Sequence, residues 1–89
     1  MPIVSNAQTY GEWLNAILDE HKIKAARFAE LVQVNRSTVH HWLHNTRLPT
    51  AEKVDAIAST LANITNSDHI TIAKDILWLC HCTLMRRAQ

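Results

Sequence analysis

Histidines and one arginine carry most of the chemistry available to this chain. Arg36, Ser37, Thr38, His40, His41 and His44 fall within one short stretch. His40 and His44 are four apart, which on a helix puts two imidazoles on one face, the spacing of a metal-chelating pair. A structural metal site needs two more ligands, and the sequence places none, so no metal is expected. Cys80-His81-Cys82 brings two thiols and an imidazole together in sequence. Residues two apart on a helix point to different sides, so this is neither a ligand set nor a nucleophile pair. Cys80 is expected in the core or at an interface. A different chemistry suits the first cluster. Its side chains all donate or accept hydrogen bonds, and Arg36 adds a fixed positive charge, as contact with base edges and phosphates requires. Imidazoles facing phosphates would strengthen such contact as they gain charge on acidification.

The elements that must hold these residues are helices. Thr9 followed by Glu12 is a capping box that starts a helix at Tyr10. Trp13, Leu14, Ile17 and Leu18 then recur at helical spacing to about His21. A second helix fits residues 24–32, with Phe28, Ala29 and Val32 on one face. Asn35 is a good N-cap for a third, roughly residues 36–44, whose apolar positions are Val39, Trp42 and Leu43. Thr50 caps a fourth, with Val54, Ile57, Ala58 and Leu61 in rhythm. Residues 63–67 read as a turn. Ser67 or Asp68 starts a last helix to about Arg86. Ala29 is small where one helix would cross the next, Val34 points inward from a short turn, and Val39 and Trp42 line the inner face of the third helix. Two helices crossing through so short a turn make a helix-turn-helix. Charge is concentrated in the same region. Residues 22–50 carry Lys22, Lys24, Arg27, Arg36 and Arg47 against Glu30 alone.

Residues 23–50 resemble the lambda-repressor-like family of helix-turn-helix regulators, the Cro and phage-repressor group. The likeness extends over about residues 10–62. Phe28-Ala29 matches the family's first motif helix. Val34-Asn35-Arg36-Ser37-Thr38-Val39 matches its turn and the start of its recognition helix. Trp42 matches a later position of that helix, and Arg47 to Pro49 match its exit. The resemblance implies an all-α, five-helix domain, to which the residue pattern adds a long C-terminal helix. It places Arg36, Ser37 and His41 where the family reads bases in the major groove, with Thr38 and His40 beside them. It places Lys24, His44, Asn45 and Arg47 where the family grips the DNA backbone. Two positions depart from the pattern. Gln33 stands where the family usually has glycine, so Gln33 must adopt a left-handed backbone at a cost of about 1 kcal/mol. Ala25 stands where the family often has a glutamine that meets phosphate. That leaves the contact to Lys24 and to the backbone N–H groups of the helix end.

Composition narrows the remaining possibilities. The chain has one glycine, Gly11, in 89 residues. Phosphate-cradling loops, dinucleotide fingerprints and nucleophile elbows all need glycines at fixed spacing. No enzyme and no cofactor are expected. No apolar run is long enough to span a membrane, and no signal peptide opens the chain. Two cysteines one residue apart cannot staple a fold, so the expected setting is reduced and cytoplasmic, and the resemblance implies a place at the bacterial nucleoid. The last helix is apolar over more than one face. Ile72, Ile76, Cys80 and Thr83 form one stripe, Ile70, Ala73, Leu77 and Leu84 a neighbouring one, with Trp78 and Leu79 further round. Such a helix either runs through the core or pairs with another chain. Ile72, Ile76, Leu77, Trp78, Cys80 and Leu84 are the expected dimer contacts. The expected organisation is a loose arm over residues 1–8, a DNA-binding unit over 9–66 and a dimerising helix over 67–89. The expected function is a sequence-specific transcriptional regulator, a Cro-like repressor whose homodimer binds a palindromic operator on double-stranded DNA. The alternative is an antitoxin-like module that binds a toxin and its own operator.

Overall fold

Thr9 opens the first of five helices in the computed structural model, which describes residues 9–87 of the chain. The helices are α1 (Tyr10–Glu20), α2 (Ala25–Val32), α3 (Arg36–Leu43), α4 (Ala51–Thr65) and α5 (His69–Arg87). No strand occurs among the described residues. The expected arm over residues 1–8 lies outside them. The Thr9 hydroxyl accepts the Glu12 amide at 3.3 Å and donates to the Glu12 carboxylate at 3.1 Å, so the capping box forms. The Thr50 hydroxyl takes the Lys53 amide at 3.4 Å at the head of α4. Before α5, the Asp68 carboxylate accepts the Thr71 amide at 3.0 Å and the Thr71 hydroxyl at 3.1 Å. Those bonds hold the Asp68 carboxyl below the usual carboxylate range. The fourth helix runs through residues 63–65 of the expected 63–67 turn. Ile64 is half-buried against the core, and the Thr65 hydroxyl bonds back to the Leu61 carbonyl at 2.7 Å, so polar sequence there still supports a helical turn.

All four connections between helices turn on a left-handed residue, and none of the four is glycine. They are Lys22 (φ 57°), Gln33 (φ 62°), Asn45 (φ 59°) and Asn66 (φ 55°). In each case the next amide reaches back to a carbonyl in the last turns of the helix just ended. Ile23 N–H donates to Leu18 at 2.8 Å, Val34 to Ala29 at 3.0 Å, Thr46 to His41 at 3.0 Å and Ser67 to Ala62 at 3.1 Å. This is the Schellman arrangement, and the apolar residue that usually follows it is present as the partly buried Ile23 and Val34. Gln33 takes the left-handed conformation expected of it, as the C-cap of α2. A side chain there costs about 1 kcal/mol relative to glycine, partly offset by the extra unfolded-state freedom glycine brings. Gln33→Gly is therefore expected to raise stability by about 0.5 kcal/mol, and Gln33→Val to lower it by more than about 1 kcal/mol. Urea midpoints at constant m-value check both signs.

The single glycine serves a different purpose. Gly11 lies in the first turn of α1, and a Cβ added there would sit 2.4 Å from the Leu43 carbonyl oxygen and 2.8 Å from Asn45 Oδ1. Its amide donates to Asn45 Oδ1 at 2.8 Å, and Asn45 Nδ2 donates to the Thr9 hydroxyl at 3.1 Å. The head of α1 is thus keyed into the end of α3. The preceding amide, of Tyr10, donates to the Thr83 hydroxyl of α5 at 2.9 Å, and that hydroxyl donates on to the Leu79 carbonyl at 2.7 Å.

The core is built from Trp13, Leu14 and Ile17 of α1, Phe28 and Val32 of α2, Val39 and Trp42 of α3, Ile57 and Leu61 of α4, and one face of α5. That face is Ile72, Ile76, Leu79 and Thr83, all buried. Ile72 and Ile76, expected between subunits, are therefore spent inside this chain: each is 0% exposed. Cys80 is half-buried at the edge of the core, and burial pushes its thiol up to about 11, which keeps it protonated and unreactive. The neighbouring stripe of α5 faces outward. Ile70, Leu77, Trp78, Leu84 and Met85 are all exposed, Trp78 at 64%, with the His81 ring lying 5.8 Å from the indole.

Candidate nucleic-acid interface

The helix-turn-helix forms where expected. Phe28 and Ala29 of α2 and Val39 and Trp42 of α3 are buried, and Val34 packs partly against them from the turn. The apolar side of α3 being committed inward, its other residues face out: Arg36, Ser37, His40 and His44 are exposed, and Thr38 and His41 half-buried. Between Glu30 and Glu52 the sequence contains no acidic residue. The exposed Glu30 is paired with Arg27 at 3.1 Å. The outer face of α3 is therefore polar and cationic with no carboxylate of its own.

Among the described residues, two grooves flank α3. The larger, of about 560 Å³, is lined by Ala25, Asn35, Arg36, Ser37, His40 and Leu43. The smaller, of about 310 Å³, is lined among others by Asn35, Thr38, Arg47, Thr50 and Lys53. So Arg36, Ser37 and His40 share one groove, while Thr38 and Arg47 share the other. Lys53, in the first turn of α4, is a cation near Arg47 that the sequence alone does not single out. Its place just beyond the Thr50 cap is the available signal.

Capping distinguishes the two motif helices from the rest. Side chains cap α1 and α4, at Thr9 and Thr50, and Asp68 accepts an amide in the first turn of α5. Among the described residues no side chain caps the N-terminus of α2 or α3. Asn35 stands at the N-cap of α3 as expected, but its side chain makes no cap bond and the residue instead lines both grooves. Ala25 is the first residue of α2, and Asn35, Arg36 and Ser37 begin α3, so both uncapped N-termini open onto the larger groove. Unpaired amides and the positive end of the helix dipole make such a place suited to phosphate. Lys24, exposed at the N-cap of α2, adds an ammonium at that end.

The remaining expected contacts divide. His44 is exposed, and its ring lies 4.2 Å from that of His40. Among the described residues no group of three or more metal-ligating side chains comes together. His41 turns to the loop, with Nδ1 at 2.8 Å from the Thr46 hydroxyl. Asn45, expected at a phosphate, has both ends of its side-chain amide engaged, by Gly11 and Thr9, which braces the head of α1 against the end of α3. Among the described residues no helix is long and apolar enough to cross a membrane.

No curated protein and no solved structure matches the chain. A family model for the Cro/C1-type HTH DNA-binding domain does match, over residues 14–63, from the middle of α1 to near the end of α4. That span holds the whole helix-turn-helix and both grooves, and the chain belongs to the Cro/C1-type helix-turn-helix DNA-binding family.

Proposed function

We propose that the protein is a sequence-specific transcriptional regulator, a Cro-like repressor acting in the bacterial cytoplasm at the nucleoid. The observation that carries this reading is the groove between α2 and α3, onto which two uncapped helix N-termini open beside Arg36, Ser37 and His40. Phosphates held at the helix ends would orient α3, and the side chains of its outer face would read base edges in the major groove. Arg36, Ser37, Thr38, His40 and His41 form the base-reading set. Lys24, His44 and Arg47 form the phosphate set, joined by Lys53.

The outward stripe of α5 supports a homodimer bound to a palindromic operator. Ile70, Leu77, Trp78, Leu84 and Met85 expose large apolar side chains along one helix face, away from the grooves' lining. Of the contacts expected there, Leu77, Trp78 and Leu84 remain in the proposed interface, with Cys80 at its margin. A paired Leu77→Asp, Trp78→Asp variant is expected to sediment as a monomer with an unchanged helical spectrum, because both side chains lie off the core. Its operator affinity falls with the loss of the second half-site. Wild-type protein sedimenting as a monomer would instead favour the antitoxin-like reading, in which this face meets a different protein. Selection from random duplexes at physiological salt tests the central proposal. An enriched palindrome supports it, and weak, salt-sensitive binding without sequence enrichment overturns it.

A further inference from the structure

The Thr46 hydroxyl lies 2.8 Å from His41 Nδ1 and 3.2 Å from the His41 carbonyl oxygen. A hydroxyl has one proton to donate. If that proton went to the ring, the second contact would set oxygen against oxygen with no hydrogen between them. Both contacts are hydrogen bonds only when the hydroxyl donates to the carbonyl and Nδ1–H donates to the hydroxyl. The hydrogen bond made by one imidazole nitrogen decides where the ring's proton resides. The loop keeps Thr46 in place. The amides of Thr46 and Arg47 close on the same carbonyl at 3.0 and 3.4 Å, and the left-handed Asn45 before them is held by Gly11 and Thr9.

With the proton on Nδ1, the neutral ring carries its lone pair on Nε2, at the far end from Thr46. Nε2 makes no hydrogen bond among the described residues. In the major groove, cytosine offers an N4 amine and adenine an N6 amine, whereas guanine and thymine present oxygen acceptors. We propose that Thr46 locks neutral His41 as its Nδ1–H tautomer, so that His41 reads an amine-bearing base, adenine or cytosine, on the contacted strand. Thr46 is a positioning residue: it sets the polarity of the reading atom without touching the base. This rests on the DNA-binding reading of α3 proposed above and specifies which base class one of its residues accepts.

Two measurements test it. Nitrogen NMR of the imidazoles in the whole, DNA-free protein, taken to the high-pH limit, is expected to show His41 protonated at Nδ1. Thr46→Val is expected to move that proton toward Nε2, and Thr46→Ser to keep it on Nδ1. A wild-type ring protonated at Nε2 overturns the proposal. Duplex selection then compares wild type with the same two variants. Wild type and Thr46→Ser are expected to share one half-site base-pair preference of about fivefold to tenfold, and removing the exocyclic amine of that pair (purine for adenine, 2-pyrimidinone for cytosine) is expected to cost both the same factor in affinity. Thr46→Val loses or reverses that bias while still selecting the rest of the site. A site identical for wild type and Thr46→Val, or wild-type affinity unaffected by removing that amine, overturns this inference and leaves the regulator reading standing. Failure of wild type to select any sequence overturns both.

Discussion

Arg36→Ala is expected to lower affinity for a selected operator by about tenfold to a hundredfold, and to relax sequence choice at one position of each half-site. Arg36 is the first residue of α3, exposed, and lines the larger groove next to Ser37 and His40. A guanidinium placed there can pair with the O6 and N7 of guanine through two N–H bonds at once. Such a bidentate pair discriminates against the wrong base by about 1–3 kcal/mol. Lysine at the same position keeps the charge but not the fork, so Arg36→Lys should restore non-specific binding without restoring the guanine preference. Lys24→Ala provides the contrast. It removes a charge from a helix end, and should weaken binding to every sequence alike while flattening the dependence on salt. Fluorescence titration on the selected duplex and on a scrambled one, at two salt concentrations, separates these outcomes. Equal losses on both duplexes for Arg36→Ala would place this residue against phosphate instead.

Gly11→Ala is expected to destabilise the domain by about 2 kcal/mol, opposite in sign to the effect of helix propensity alone. In an exposed helix interior, alanine for glycine gains about 1 kcal/mol. Here the new methyl would meet the Leu43 carbonyl at 2.4 Å. That neighbour is backbone at the end of α3, so it cannot turn aside as a long side chain would. Relief requires α1 and α3 to separate, which lengthens the Gly11–Asn45 hydrogen bond and loosens the core at Trp13 and Trp42. Overpacking of this kind costs about 1–3 kcal/mol, and a weakened, partly buried hydrogen bond about 1 kcal/mol more. Urea denaturation measures the net. A gain in stability would mean that α1 can shift away from α3 at little cost.

Much of this architecture is legible in the sequence because the relevant signals are local. Thr9 and Thr50 cap the helices they precede, apolar spacing finds the buried face of α1 and α4, and a single family resemblance puts Gln33 in the left-handed region. Lys22, Asn45 and Asn66 take the same conformation unannounced, since no glycine marks them. Asn45 shows where local signals stop. A polar residue in a loop after a cationic helix looks like a phosphate contact, and only the approach of α1, 34 residues away in sequence, claims its amide. Asn35 holds the N-cap position its type suits, yet its side chain makes no cap bond and lines the grooves instead. Hydropathy does not separate Ile72 and Ile76 from Leu77 and Leu84, because both stripes of α5 are strongly apolar. Which stripe is core depends on where Thr83 meets the head of α1.

That meeting point has a bearing on operator length. Two successive amides, of Tyr10 and Gly11, fasten the start of α1 to α5 on one side and to the end of α3 on the other. The outward face of α5 and the reading face of α3 are consequently clamped to a common anvil, like the fixed jaws of a caliper. In the proposed dimer, the gap between the two copies of α3 is then a built-in gauge rather than an adjustable reach. Each base pair added between half-sites moves one of them by about 3.4 Å along the duplex and turns it by about 35° around the axis. A clamped pair has no slack with which to follow.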